Sequence, residues 1–163
     1  MIEAYQKNTE NTEDAESESQ TTLGMKEAVG KRKIFLISVD EESQLELIKR
    51  LTNKGFSFVD NKKSAELIME LTYAEVNSKQ KVGILKSGNE TEFRGKIGKL
   101  LVKLNRDSNA YLIYAREYNY AKVANMASMF GISAAPPSLR DQIKYYFVDD
   151  FLKQMKKAGD KFK

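Results

Sequence analysis

The apolar positions of this chain change period from segment to segment, and the changes mark out its elements. Ile34-Phe35-Leu36-Ile37-Ser38-Val39 is a short, nearly continuous apolar run, as expected of a strand covered on both faces. Leu45, Ile48 and Leu51, with Leu47 beside them, fall on one stripe at helical spacing. Asp40 or Ser43 can cap that helix, Glu41 and Glu42 suit its positive end, and Gly55 sits where a left-handed terminating residue is wanted. Phe56-Ser57-Phe58-Val59 begins a second strand, and strand, helix and strand with short links predict a parallel crossover. After the turn at Asn61-Lys62-Lys63-Ser64, Leu67, Met69, Leu71 and Tyr73 alternate through a strand reaching Val76.

Residues 77 to 96 carry the weakest pattern, with Gly83, Gly88 and Gly95 punctuating a lysine-rich run. Val82 to Leu85 and Thr91 to Phe93 could pair across Ser87-Gly88-Asn89, or the whole could be a mobile loop. Alternation returns in Leu100, Val102 and Leu104. Arg106-Asp107-Ser108-Asn109 is turn chemistry, and Tyr111 to Ala115 runs back, which predicts a hairpin. Tyr120, Val123, Met126 and Met129 predict a short helix ending at Gly131, and Ala135-Pro136-Pro137 interrupts the pattern. Ser138-Leu139-Arg140-Asp141 has the form of a capping box. Behind it Leu139, Ile143, Phe147, Phe151 and Met155 step by four along a final helix.

The predicted fold class is therefore α/β, α+β-like: a single mixed sheet of about five strands in the order β-α-β-β-β-β-α. Helices at 42–53 and 139–156 cover it. A chain of 163 residues with 41% hydrophobic content can bury one full core. Residues 1–30 are rich in Glu, Ser, Thr, Asn and Gln and read as a disordered acidic tail or linker, with Met25 to Val29 as a possible helical lead-in. Residues 31–158 form the single domain, and 159–163 a frayed basic tail.

Charge sharpens this division. Residues 1–30 hold seven acids against Lys7 and Lys26, a net of −5, so the remaining residues carry +9 within a total of +4. An acidic tail beside a basic body is a solvated linker, a solubility device or a self-masking arm. Mean hydropathy is −0.54, no apolar run approaches the roughly 18 to 20 residues that span a bilayer, and Met1-Ile2-Glu3-Ala4-Tyr5 lacks the basic and apolar regions of a signal peptide. A tether or a lipidated cysteine upstream of Met1 stays open.

Candidate chemistry is narrowed by two absences. Without cysteine there are no disulfides, thiol nucleophiles or cysteine-ligated zinc; without histidine there is no imidazole base, histidine metal ligand or histidine pH switch. No phosphate loop or dinucleotide fingerprint occurs, so no cofactor is expected. Asp40-Glu41-Glu42 with Asp60 could bind a divalent cation at the strand ends, or the first three could simply cap and polarise a helix start. Asp149 and Asp150 point about 100° apart on a helix and do not converge. Lys79, Lys81, Lys86, Arg94, Lys96, Lys99, Lys103 and Arg106 form a basic surface of eight bases against Glu90 and Glu92. It could serve nucleic acid, with nearby tyrosines for stacking, an anionic membrane surface or an acidic protein. Tyr118, Tyr120, Met126, Met129 and Phe130 are the candidate protein-binding residues, on a helix that could equally just cover the sheet.

Leu47, Leu51, Gly55-Phe56, Val59-Asp60 and Ala65-Glu66-Leu67-Ile68, followed by the hairpin Gly98-Lys99-Leu100-Leu101-Val102-Lys103-Leu104-Asn105 and Ala110 to Ala115, resemble a pattern of bacterial envelope lipoproteins. Such domains occur in curli-type secretion-channel lipoproteins, lipoprotein activators of penicillin-binding proteins and the N-terminal domain of TolB. The outline covers residues 33 to 158. Glu66 stands where the pattern has Asp, Tyr114 where Trp is common, and no lipobox cysteine is present. The resemblance implies a non-catalytic accessory or assembly domain that binds protein partners, a second copy included, in a periplasmic or envelope location. A cytoplasmic nucleic-acid-binding domain is the alternative, and an enzyme built on carboxylates the third.

Overall fold

The computed structural model describes residues 24–81, 90–107, 109–119 and 136–162, with 77–81 and 90–94 described by their backbone alone. Five strands make one sheet: β1 (Lys33–Ser38), β2 (Ser57–Phe58), β3 (Leu67–Lys81), β4 (Glu90–Arg106) and β5 (Asn109–Glu117). Their spatial order is β2-β1-β3-β4-β5, with β1 parallel to β2 and β3, and antiparallel pairing from β3 onward. This is the predicted mixed α/β sheet in the predicted element order.

Helix α1 (Glu41–Thr52) follows β1. The Asp40 side chain caps it, accepting from the backbone N–H of Ser43 at 3.1 Å and from the Ser43 hydroxyl. Gly55 closes it at φ +92°, a backbone value that side chains resist and glycine takes freely. The C-terminal helix is built in three parts: α2 (Leu139–Gln142), a π-helical turn (Ile143–Phe147) and α3 (Val148–Lys157). Its start is capped by the Ser138 hydroxyl, which accepts from the Asp141 N–H at 3.2 Å. The apolar residues explain the π turn. Steps of four residues drift about 40° each on an ideal helix, so five ridge positions from Leu139 to Met155 would smear over about 160°. The wider turn takes up part of that drift, and Leu139, Ile143, Phe147, Phe151 and Met155 all stay buried.

One core joins the helices to one face of the sheet. Ile34, Leu67, Met69, Leu71, Leu100, Val102 and Leu104 meet Leu47, Leu51, Phe147, Phe151 and Met155 there. Phe56, Tyr114 and Phe151 stack within it, and the Tyr114 hydroxyl donates to Asp150 at 2.6 Å. The opposite face carries the alternate residues Phe35, Ile37, Ile68, Glu70, Leu101, Lys103 and Leu112. β1 was expected to be covered on both faces; among the described residues the helices cover one, and Ile37 is 41% exposed.

Three other expectations are corrected. β3 does not stop at Val76 but runs to Lys81, and β4 begins at Glu90, so 77–81 and 90–96 form one continuous ladder in place of a loop or two short strands. Val82 to Leu85 lies outside the described residues, as do 1–23, the 120–130 helix and Lys86. The described end of the acidic tail, residues 24–30, is ordered: a helical turn at 24–27 stands beside the expected lead-in at Met25 to Val29, and Met25 and Ala28 are buried in the core. Residues 159–162, expected to fray, instead hold a buried carboxylate: Asp160 accepts from Arg32 Nη1 at 3.0 Å and Nη2 at 2.5 Å, and from the Gly30 N–H at 3.0 Å.

Candidate functional site

The ladder between β3 and β4 outruns its neighbours. β1 leaves β3 after Leu71 and β5 leaves β4 beyond Lys99, so the nine register pairs from Tyr73↔Gly98 to Lys81↔Glu90 form a two-stranded ribbon about 30 Å long. At the base of this ribbon the free edge of β4 is capped by a side chain. Gln142, 1% exposed, accepts from the Gly98 N–H at 2.8 Å and donates to the Lys96 carbonyl at 2.6 Å and the Pro137 carbonyl at 3.0 Å. One planar amide thus supplies the acceptor and donor that a continuing β5 would have offered. β5 ends at the same point, where the Tyr118 N–H donates to the Gly98 carbonyl at 3.0 Å.

A cleft of about 420 Å³ opens between the departing strand and the helix start. It is lined by Tyr118, Asn119, Pro137, Asp141, Gln142, Tyr145 and Tyr146. The π turn carries Tyr145 and Tyr146 into it. Tyr146 meets Tyr118 edge-on, with ring centroids 5.4 Å apart at 88°, and rests on Phe147 at 5.2 Å. Burial raises the Tyr118 hydroxyl above its ordinary pKa of 10.0, and neighbouring Tyr146 adds to the rise, so the Tyr118 hydroxyl remains a neutral donor at physiological pH. Tyr145 is 69% exposed, with Lys144 Nζ 5.0 Å from its ring centroid. The glycines fit the helix onto the ribbon: a Cβ on Gly98 would lie 2.7 Å from Leu139 Cδ1 and 2.8 Å from Phe147 Cε2.

Of the five residues expected to bind a partner, Tyr118 lines this cleft, while Tyr120, Met126, Met129 and Phe130 lie outside the described residues. Pattern reading missed Tyr145 and Tyr146, which it placed on an ordinary helix; the strict four-residue step was the available sign of a widened turn there.

The expected basic surface is rearranged by the register. Glu92 stands opposite Lys79, Glu90 opposite Lys81, Glu75 opposite Lys96 and Glu117 opposite Lys99. Lys103 pairs with Glu70 at 3.0 Å and Arg106 with Glu27 at 3.2 Å, and Arg94 faces Asn77. Lys96 also lies 4.5 Å over the Tyr73 ring. Of the acids considered for a metal, Asp40 caps α1 and Glu42 lies 3.7 Å from Arg140; of the separate pair on α3, Asp150 takes Tyr114 and Arg116 while Asp149 stays exposed. Among the described residues no three acids gather into a cation site.

No protein-family model matches the chain, and no curated protein does. Solved structures similar to it include uncharacterized lipoprotein B from Nitrosomonas europaea. That likeness has 11% identity and a TM-score of 0.42 and covers 81% of this chain and 91% of that one. A minor lipoprotein from Acinetobacter baumannii is similar with 14% identity and a TM-score of 0.35, over 79% of this chain and 94% of that one.

Proposed function

We propose that this domain is a non-catalytic accessory module that holds a protein partner at the tyrosine cleft, in a bacterial envelope. The observation that carries the proposal is the convergence of Tyr118, Tyr145 and Tyr146 on one cleft of about 420 Å³ whose outermost ring is left exposed. Tyrosine offers a large, stiff contact area with a polar tip, and it is enriched where proteins meet. Protein is favoured over nucleic acid by the register, which sets acids against most of the lysines that a phosphate backbone would need. The envelope location rests on the sequence resemblance.

The test places a photo-crosslinking residue at Tyr145 in the protein's own cells, with Lys63 at the far end of the domain as a control. A discrete adduct from position 145, absent from position 63 and lost when Tyr118 is replaced by serine, is the expected result. Matching adducts from both positions would remove the cleft from consideration. Tight binding of single-stranded nucleic acid with a steep salt slope would shift the function to the nucleic-acid class.

A further inference from the structure

One cluster of lysines without ion pairs lies at the end of the described body opposite the ribbon. Lys54 after α1 and Lys153 and Lys156 on α3 ring a depression of about 260 Å³ floored by Leu152 and Phe162, with Asp149 as its one acid. Lys157 and Lys161 follow at once, and all five lysines are exposed. Among the described residues none of the five joins an ion pair, whereas the arginines 32, 50, 106, 116 and 140 all do. Lys156 and Lys157 complement the negative end of α3, but Lys54, Lys153 and Lys161 have no such duty.

The chain brings its own opposite charge to this place. Residues 1–23 hold Glu3, Glu10, Glu13, Asp14, Glu16 and Glu18 against Lys7 alone. The described chain begins at Gly24, against Ile113 of β5, and reaches the patch six residues later, where Gly30 donates to Asp160 between Gly159 and Lys161; Met25 and Ala28 are anchored in the core. Glu27, the next acid along, already pairs with a base of the body, Arg106. Twenty-three residues reach about 75 Å when extended, far more than the crossing requires. We propose that the acidic segment 1–23 docks on the lysine patch formed by Lys54, Lys153, Lys156, Lys157 and Lys161 of the same molecule. Covalent attachment holds the acids at a high effective concentration, and the patch is closed to other polyanions while they are seated.

The absence of native cysteine allows a single spin label through Ser17→Cys in the full chain. At low salt the amides of 153–161 and Lys54 lose intensity beside the label. They recover it as salt shortens the Debye length from about 10 Å at 0.1 M to about 3 Å at 1 M. The loss disappears when Glu10, Glu13, Asp14, Glu16 and Glu18 are changed to their amides, and it weakens in Lys153→Ser/Lys156→Ser. Undiminished intensity around the patch, or a loss that survives charge removal, overturns the proposal. A loss as strong when label and isotope sit on different molecules also overturns it, because the segment would then be docking on a second copy.

Discussion

The fate of β4's edge turns on one side chain. Gln142 is the only described link that satisfies Gly98 N–H and Lys96 C=O beyond the reach of β5, and it does so from inside the protein. Leucine has nearly the same volume and no hydrogen-bonding atoms, so Gln142→Leu isolates the loss of those contacts from any cavity. Leaving a buried N–H and two carbonyls unmet costs about 1–3 kcal/mol each when no water reaches them; with partial access, a total of about 2–3 kcal/mol is expected. Urea denaturation should show the midpoint falling with an unchanged m-value. Tyr145 sits at the other extreme. Mostly exposed, with Lys144 beside its ring, it can become serine with a stability change within about 0.5 kcal/mol. With the photo-crosslinking residue moved to position 146, loss of the adduct in Tyr145→Ser without loss of stability is the result that would separate its recognition role from packing.

At the level of elements, what could be read in the sequence was whatever repeats locally. β1, α1, the Asp40 and Ser138 caps, the Gly55 stop and the β4–β5 hairpin all follow from periods and caps within a few residues. The outer ribbon did not, because Glu75, Asn77, Lys79 and Lys81 put polar and charged groups where a buried strand would put apolar ones. Their logic lies in β4, nine to twenty-one residues away, where Lys96, Arg94, Glu92 and Glu90 answer them. The cleft was equally hidden, since Tyr118 and Tyr146 meet only after the helix folds back. The register makes the ribbon testable. Lys79→Glu places like charges opposite at Glu92 and should weaken the ladder locally by about 0.2–1 kcal/mol, and Lys79→Glu/Glu92→Lys should restore it. Because the outer pairs of the ribbon have no further strand beside them among the described residues, hydrogen exchange of their amides should quicken while the global melting temperature holds. Equal exchange in the single and double variants would show that the opposed charges contribute nothing.

Over the whole molecule, the two ends of the described chain are tied together by one ion pair. Arg32 lies 4.9 Å from the ring centroids of both Phe56 and Phe162 and grips Asp160 with two nitrogens, while Glu66 accepts from the Arg32 and Lys33 N–H groups at 2.8 and 3.2 Å. The Arg32 guanidinium, then the Gly30 and Lys161 N–H groups, hold the Asp160 carboxyl below its ordinary pKa of 3.8 in spite of burial. Backbone N–H groups lower Glu66 in the same way, and Arg50 with Arg140 lowers Glu46. A carboxyl whose folded pKa is depressed binds its proton more readily in the unfolded chain. Its contribution to stability is therefore complete at neutral pH and is lost as pH falls through 3.8 and on through the folded value. Asp160→Asn should cost about 3 kcal/mol at pH 7, because it leaves Arg32 without its carboxylate between two rings. The variant should then lose less than the parent on acidification, giving a shallower but not flat acid limb, since Glu46 and Glu66 still titrate. Urea midpoints taken from pH 7 down to 2 measure both effects. Curves that stayed parallel across that range would mean that the Arg32–Asp160 pair exerts no pH-linked hold on the two chain ends.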